Sequence, residues 1–371
     1  MRVGVIGGGQ LARMMIPPAV ALGIELRVLA EVDGSSAGLA ATAVGDYRDE
    51  ATVLAFAADV DVVTFDHEHV PPHVLEALVS AGVAVHPGPH ALAVAQDKLV
   101  MRERLAAIGA PVPGFARIRD SRELAAFLDD HGGVAVVKTP RGGYDGKGVR
   151  VVRDEHAADD WLETAGEEGL LVEEFVPFRR ELAQLVARRP SGDIAAWPLV
   201  ETVQRDGVCA EVFAPAPRAG SLVAEARALA ERIATELDVT GVLAVELFET
   251  EDGRLLVNEL AMRPHNTGHW SIDGAITSQF EQHLRAVLDL PLGDTSMLAP
   301  VSVMVNVLGG PAGERMPDRY RAAMADRPEA KLHSYGKESR PGRKVGHVTV
   351  TGDELDDVVA RARAAAAFFQ N

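Results

Sequence analysis

Cysteine is almost absent: Cys209 stands alone among 371 residues, so neither an internal disulfide nor a thiolate zinc site can form, and a reducing compartment is expected. Cys209 itself reads as a small core residue. Long hydrophobic runs are missing too. No uncharged apolar stretch reaches membrane-spanning length, and the opening MRVGVIGGGQ has no apolar segment ahead of a cleavage site, which predicts a cytoplasmic protein with no membrane partner. Positive charge is in deficit, since 37 Lys and Arg against 54 Asp and Glu leave a net charge of −17. That excludes nucleic acid as a partner, because phosphate-backbone binding needs a basic surface. Any anionic substrate must meet a local cluster of cations. Lysine is the scarcer base, confined to Lys98, Lys138, Lys147, Lys331, Lys337 and Lys344. A coding preference for arginine replaces lysine wherever either serves, so the survivors point to places needing a compact ammonium; chance placement is the alternative.

What is present is an ordinary globular balance, 47% hydrophobic and 25% charged, in a chain too long for a single core. RVGVIGGGQLARMMIPPAVALGIELRVLA alternates strand, glycine turn, helix and strand. VDVVTF ending at Phe65, the helical PHVLEALVSAG and the strand-like VAVHP extend this into an open parallel α/β sheet. A helix, KLVMRERLAAIG, leads to the breaker APVPG at 110–114, and strands and helices continue to VPF at 176–178. An α+β stretch follows, then PLGD at 291–294, further strands, a basic loop and the closing helix DELDDVVARARAAAAFF. Four units are expected: 1–97, 98–176, 177–295 and 296–371.

Two glycine segments carry chemistry. Gly7-Gly8-Gly9-Gln10-Leu11-Ala12 fits G-x-G-x-x-G/A after a strand, with Glu31 or Asp33 at the end of the next. A dinucleotide site, a simpler phosphate cradle at a helix N-terminus and a purely structural turn all satisfy it. The second, Lys138-Thr139-Pro140-Arg141-Gly142-Gly143-Tyr144-Asp145-Gly146-Lys147-Gly148, lies between two strands. It is therefore neither a Walker loop nor a Rossmann turn; a glycine hairpin flanked by lysines can fold over a triphosphate.

Carboxylates supply the other signal. Glu246 interrupts the apolar strand VLAVELF, and Asn258-Glu259 interrupts LLVNEL. Burying such charges is costly unless a metal or a counterion meets them, and carboxylates beside an amide suit Mg²⁺. If the two strands pair across TEDGR, the side chains meet; the alternative is that both face solvent on an edge strand.

In order and spacing, the glycine lid, Glu173-Glu174-Phe175-Val176, Glu181, Glu246 and Asn258-Glu259 resemble the ATP-grasp superfamily. Within it, GGGQLARM at 7–14, EHVP at 68–71, GGYDGKG at 142–148, RPHNTGHW at 263–270 and YGKESRPGRKVGHV at 335–348 resemble the N5-carboxyaminoimidazole ribonucleotide synthetase family along the whole chain. The resemblance implies a mixed α/β and α+β ATP-grasp fold with an N-terminal open parallel α/β (pre-ATP-grasp) domain and a small, mostly β C-terminal domain, usually as a homodimer. The implied reaction joins 5-aminoimidazole ribonucleotide and bicarbonate at the expense of ATP, giving N5-carboxyaminoimidazole ribonucleotide, ADP and phosphate. It also implies that the first glycine turn faces the ribonucleotide phosphate.

By the same resemblance Lys98, Lys138 and the lid residues Gly142, Gly143, Tyr144, Asp145, Gly146, Lys147 and Gly148 contact ATP phosphates. Glu173, Glu174, Phe175 and Val176 form the adenine hinge, Glu181 takes the ribose, and Asn258 with Glu259 completes the nucleotide site. Glu246 and Glu259 bind magnesium, as two ions. Gln10, Leu11, Glu68, Asp145 and Lys147 hold the aminoimidazole ribonucleotide. Tyr144, Arg263, His265 and Lys337 work around bicarbonate and carboxyphosphate. The cations Arg340, Arg343 and Lys344 form, with Lys337, a loop expected to grip the ribonucleotide phosphate. Departures are Asp66-His67 where Glu-Asn is common, Met262 for a usual proline, and Gln204 where relatives carry a nucleotide-contacting His. Another ATP-grasp carboxylate–amine ligase is the nearest alternative. A NAD-dependent dehydrogenase would leave the second glycine loop unexplained, and a binding-only descendant would tend to lose Glu246 and Glu259.

Overall fold

Most apolar runs of the first ninety residues fold as their pattern predicts. In the computed structural model, which describes residues 1–143 and 148–370, strands Ala41–Val44, Glu25–Ala30, Arg2–Ile6 and Val62–Phe65 lie side by side and parallel in that order. Helices Gln10–Ala21, Glu50–Ala57 and Pro72–Ser80 join or cover them. VAVHP falls short of a strand. It contributes only the single parallel bridge Val63–Val85, because Pro87 has no N–H to continue a ladder.

The first glycine turn is shaped by what packs on it. Gly7 has φ +104°, and a Cβ on Gly9 would fall 2.0 Å from Asp66 Oδ2. Gly9 has no side chain to cap the helix that follows. Asp66 does so from the neighbouring strand end, its Oδ1 accepting the Ala12 N–H at 2.7 Å. Glu31, at the end of the next strand, accepts the Gly8 N–H at 3.1 Å and meets His67 Nε2 at 3.2 Å. The bond to His67, and then the Gly8 N–H, outweigh burial and hold the Glu31 carboxyl down to about 2.

A second sheet is antiparallel, in the order Phe115–Ile118, Leu170–Glu174, Ala135–Lys138, Val149–Val152. Its apolar face packs under helices Ser121–Asp130 and Asp159–Ala165. The second glycine loop is the connection between Ala135–Lys138 and Val149–Val152, so it leaves and re-enters one sheet as a hairpin.

The third sheet is the largest, running Leu255–Ala261, Gly241–Thr250, Phe178–Arg188, Val200–Arg205, Val208–Ala214, Val301–Leu308, Lys344–Gly352, Lys331–Ser334. All its pairings are antiparallel, and Ile194–Ala196 adds to Phe178–Arg188. It passes without a break across position 295, because Val208–Ala214 pairs directly with Val301–Leu308. Helix Leu222–Glu236 covers one stretch of it and the closing helix Leu355–Ala367 another. Helix Gln279–Val287 ties this assembly to the first sheet: Phe280, Leu284 and Val287 share a core with Leu11, Met15, Val28 and Tyr335. Contiguous apolar burial of this kind, rather than a flexible linker, fixes how the units sit.

Candidate active site

The carboxylates meet as the turn TEDGR allows. Glu246 and Glu259 are cross-strand partners in the hairpin formed by Gly241–Thr250 and Leu255–Ala261. The next pair is Leu247 with Val257, so Asn258 is one residue too many on its strand, a β-bulge. Core packing shows its effect. Leu255 and Val257 face the same core as Leu260 and Met262, a change of phase that turns Asn258 and Glu259 away from that core together. Burial, then Glu259 and Glu181, push the Glu246 carboxyl up to about 8 against weaker pulls from Lys344 and Arg263. Such a pair is short of positive charge and offers only oxygen donors, which fits Mg²⁺. Among the described residues no cluster of three or more His, Cys, Asp or Glu could hold a metal alone. An ion here would complete its shell with phosphate oxygens and water.

One lysine and one imidazole approach the pair. Lys98 Nζ lies 3.6 Å from Glu259 Oε1, and His265 Nε2 lies 3.2 Å from Glu246 Oε1. Burial, with the charges of Arg263 and Lys344, keeps His265 well below its ordinary value and therefore neutral. Lys138 Nζ is 2.6 Å from Glu173 Oε2, and Arg102 Nε bonds the other oxygen of the same carboxylate. Burial would raise Glu173, but Arg102 and Lys138 outweigh it and hold it ionised. The Glu173 side chain, at the end of strand Leu170–Glu174, thus orients Lys138. Arg102 reaches further, its Nη2 donating to the Asn258 carbonyl at 2.5 Å. One guanidinium therefore ties the lid sheet to the bulge of the carboxylate hairpin. Lys98, Arg102, Lys138, Asn258 and Glu259 line one cavity with Met101 and Leu171. Arg102 escapes sequence reading because it is one arginine among many; its only signal is a basic residue on the buried face of helix Lys98–Ala107.

The other units contribute from their own sides. Arg263 Nε donates to Glu68 Oε2 at 2.7 Å, and Lys337 Nζ to Gln10 Oε1 at 2.7 Å. Leu11 is buried in the first core, so it can offer a ligand only its backbone. Arg13 bonds the carbonyls of Ser334 and Ser36, and Ser36 Oγ donates to the Tyr335 carbonyl. Gln204 faces Glu181 and, by a hydrogen bond, opposes the upward push of burial on its carboxyl. Val176 is buried, Glu174 half-buried and Phe175 exposed. Gly142, Gly143 and Gly148 all have positive φ, between 68° and 76°. Lys344 opens the strand Lys344–Gly352, close enough for its charge to act on Glu246 and His265. Arg343 is half-buried, whereas Arg340 is exposed and pairs with Glu338 at 3.1 Å. Tyr144, Asp145, Gly146 and Lys147 lie outside the described residues.

Comparison with known proteins decides between the ligase families. Residues 1–96 match the ribonucleotide synthetase preATP-grasp domain, 103–280 the ATP-grasp domain and 302–361 the phosphoribosylaminoimidazole carboxylase C-terminal domain. The N5-carboxyaminoimidazole ribonucleotide synthase of Mycobacterium tuberculosis (strain ATCC 25618 / H37Rv) is 54% identical over 371 residues, covering 98% of this chain and 86% of its own. The chain belongs to the N5-carboxyaminoimidazole ribonucleotide synthase family. The Bacillus subtilis (strain 168) member is 36% identical over 96% of this chain and 92% of its own. Among solved structures of the family, an Aspergillus clavatus synthase in complex with ADP and the aminoimidazole ribonucleotide superposes with a TM-score of 0.89. It is 32% identical, with 99% of this chain and 98% of that one covered. The fold is accordingly the ATP-grasp fold with its N-terminal preATP-grasp and C-terminal domains.

The Arg102 bridge generates a prediction. Breaking a buried ion pair from one side costs about 3–5 kcal/mol, and because Glu173 keeps Lys138 the loss in Arg102→Met should be about 2–3 kcal/mol. Denaturant unfolding should show that loss, and the Michaelis constant for ATP should rise with it. Wild-type values for both would show that Arg102 is a bystander.

Proposed function

We propose that this protein is an ATP-dependent carbon–nitrogen ligase that carboxylates 5-aminoimidazole ribonucleotide with bicarbonate in de novo purine biosynthesis, through carboxyphosphate. The reading includes two Mg²⁺ ions, small-molecule substrates only, a homodimer and a cytoplasmic setting. The observation that carries it is that groups from every part of the chain converge: Arg263, held by Glu68, is close enough for its charge to act on Glu246 and to feel Glu259, and both it and Lys337, which bonds Gln10, act on Asp66, while Lys98 meets Glu259. It is supported by the names of the relatives and by the ADP and aminoimidazole ribonucleotide complex of the Aspergillus clavatus synthase. A nicotinamide enzyme loses its footing, because the G-x-G-x-x-A segment falls within the part that matches a preATP-grasp domain.

Bicarbonate is a poor electrophile, so its oxygen first attacks the γ-phosphoryl group of ATP, forming carboxyphosphate and releasing ADP. The amine of the ribonucleotide then forms the new N–C bond, phosphate leaves, and the amine proton passes to a base. Phosphoryl transfer is mostly positioning and charge neutralisation. Glu246 and Glu259 are the carboxylates that would hold Mg²⁺, whose chemistry is neutralising charge on the phosphates. Lys138, oriented by Glu173, and Lys98 bring fixed positive charge to the same cavity. Arg263 presents a planar guanidinium suited to a carbonate-like anion, and Glu68 fixes its orientation. His265, with Nε2 3.2 Å from Glu246 Oε1, is placed to pass a proton at that carboxylate. The glycine hairpin is the element that would exclude water from carboxyphosphate, which hydrolyses readily.

Two measurements test the reading. ADP release from ATP and bicarbonate should be strongly stimulated by the aminoimidazole ribonucleotide, and Glu259→Gln should abolish that stimulation with circular dichroism unchanged. Absence of stimulation in the wild-type protein would overturn the substrate assignment. In the basic loop, Lys344→Ala should raise the ribonucleotide Michaelis constant about tenfold, the factor equal to ~1.4 kcal/mol, and change the ATP Michaelis constant by much less. Lys337→Ala should instead lower turnover, and equal small effects from both would return the loop to a solvent role.

A further inference from the structure

His265 lies between strand Leu255–Ala261 and helix Gln279–Val287, at the head of the short 3-10 turn Asn266–Gly268, and the local backbone meets it at its carbonyl, which accepts the Gly268 N–H at 3.0 Å. Its main chain is also held at both ends by one side chain. Gln279 Oε1 accepts the His265 N–H at 2.8 Å, and Gln279 Nε2 donates to the His265 carbonyl at 2.7 Å. The same Nε2 reaches His269 Nδ1 at 2.8 Å. Gln279 and His269 are both fully buried.

The orientation of this amide follows from the backbone it grips. The His265 N–H needs an acceptor, so Oε1 must face it, which turns Nε2 toward the carbonyl and His269. His269 Nδ1 must then be the unprotonated nitrogen, and the ring carries its proton on Nε2. Neither a carboxylate nor an ammonium could serve both ends of His265, since the first cannot donate and the second cannot accept. Space is tight as well. A Cβ on Gly268 would come 2.5 Å from Gln279 Oε1. His269 is wedged by aromatic neighbours, with ring centroids at 5.2 Å to His347, 5.5 Å to Phe280 and 6.1 Å, edge-on, to Tyr335. Tyr335 lies two residues before Lys337, so the ring that sets the amide also packs against the root of the basic loop.

We propose that Gln279, its amide orientation set by His269, is a positioning residue that fixes the His265 main chain and so holds the imidazole against Glu246. The inference rests on the functional reading given above. Gln279 touches no reacting atom in that reading; it acts through His265. Catalytic geometry is sensitive at this scale, since a misplacement of about 1 Å can cost about a hundredfold in rate.

The experiment combines two readouts on the full-length protein. Gln279→Glu keeps the acceptor for the His265 N–H and removes both donors, whereas Gln279→Met removes all three bonds at similar volume. His269→Asn keeps an acceptor near the Nδ1 position, and His269→Phe removes it while keeping a ring. Amide hydrogen exchange at His265 should be slow in the wild type and about tenfold faster or more in Gln279→Met. Ribonucleotide-dependent turnover should fall about tenfold or more in both Gln279 variants and in His269→Phe, with the ATP Michaelis constant within about twofold of wild type. His269→Asn should recover most of the turnover. A merely structural role would lower the melting temperature and affect His269→Asn and His269→Phe alike. That pattern, or unchanged exchange at His265 in Gln279→Met, overturns the proposal. Failure of the wild-type protein to respond to the ribonucleotide would sink the functional reading instead, and the exchange measurement would still decide the clamp.

Discussion

Two carboxylates facing each other across an antiparallel ladder repel, and keeping both charged in a half-buried site is costly without a cation near them; the surrounding structure is organised by that constraint. The bulge at Asn258 creates the situation by turning Glu259 off the core face, opposite Glu246. Lys98 approaches Glu259 and His265 approaches Glu246, but the Glu246 carboxyl is still driven upward. The protein therefore supplies less positive charge than the pair demands, and a divalent cation with its phosphates would make up the difference. The neighbouring Arg102–Glu173–Lys138 group follows the opposite rule, with two cations sharing one carboxylate. That leaves an excess of positive charge beside the first site, which suits a polyphosphate.

The same logic explains why every part of the chain is needed. Gln10 opens the helix after the first strand and Glu68 follows strand Val62–Phe65 of the first sheet, Lys138 and Glu173 come from the second, and Arg263, Glu246 and Lys337 from the long third sheet or the loops at its ends. Their mutual hydrogen bonds span sequence separations that only a fixed packing can maintain, and the core shared by Phe280, Leu284, Leu11 and Tyr335 provides it.

Much of this was legible in the sequence for identifiable reasons. The parallel sheet showed as apolar runs punctuated by glycine. The carboxylate pair showed because charge inside an apolar strand is costly, and because TEDGR is short enough to force the strands to pair. The glycine hairpin showed because it lies between strands. Other features had no local signal. Arg102 differs from the neighbouring arginines only in facing inward. The ion pairs of Glu173 with Arg102 and Lys138 join residues 71 and 35 positions apart in the chain, which no local pattern announces. Gln279 opens a helix, where a polar residue excites no suspicion, and its partners lie ten and fourteen residues back. VAVHP read as a strand because its apolar content outweighed the effect of Pro87. The continuity of the third sheet past residue 295 depends on pairing between strands nearly a hundred residues apart, which no window of sequence contains.

The account turns on bicarbonate being activated by phosphoryl transfer at the Glu246–Glu259 site before the amine is carboxylated. Turnover with ¹⁸O-labelled bicarbonate measures this directly, because the oxygen that attacks the γ-phosphoryl group leaves with the phosphate. Mass spectrometry of the inorganic phosphate should show one ¹⁸O per product formed. Phosphate without label, with product still accumulating, would mean that the phosphoryl group goes to another acceptor and would contradict the mechanism.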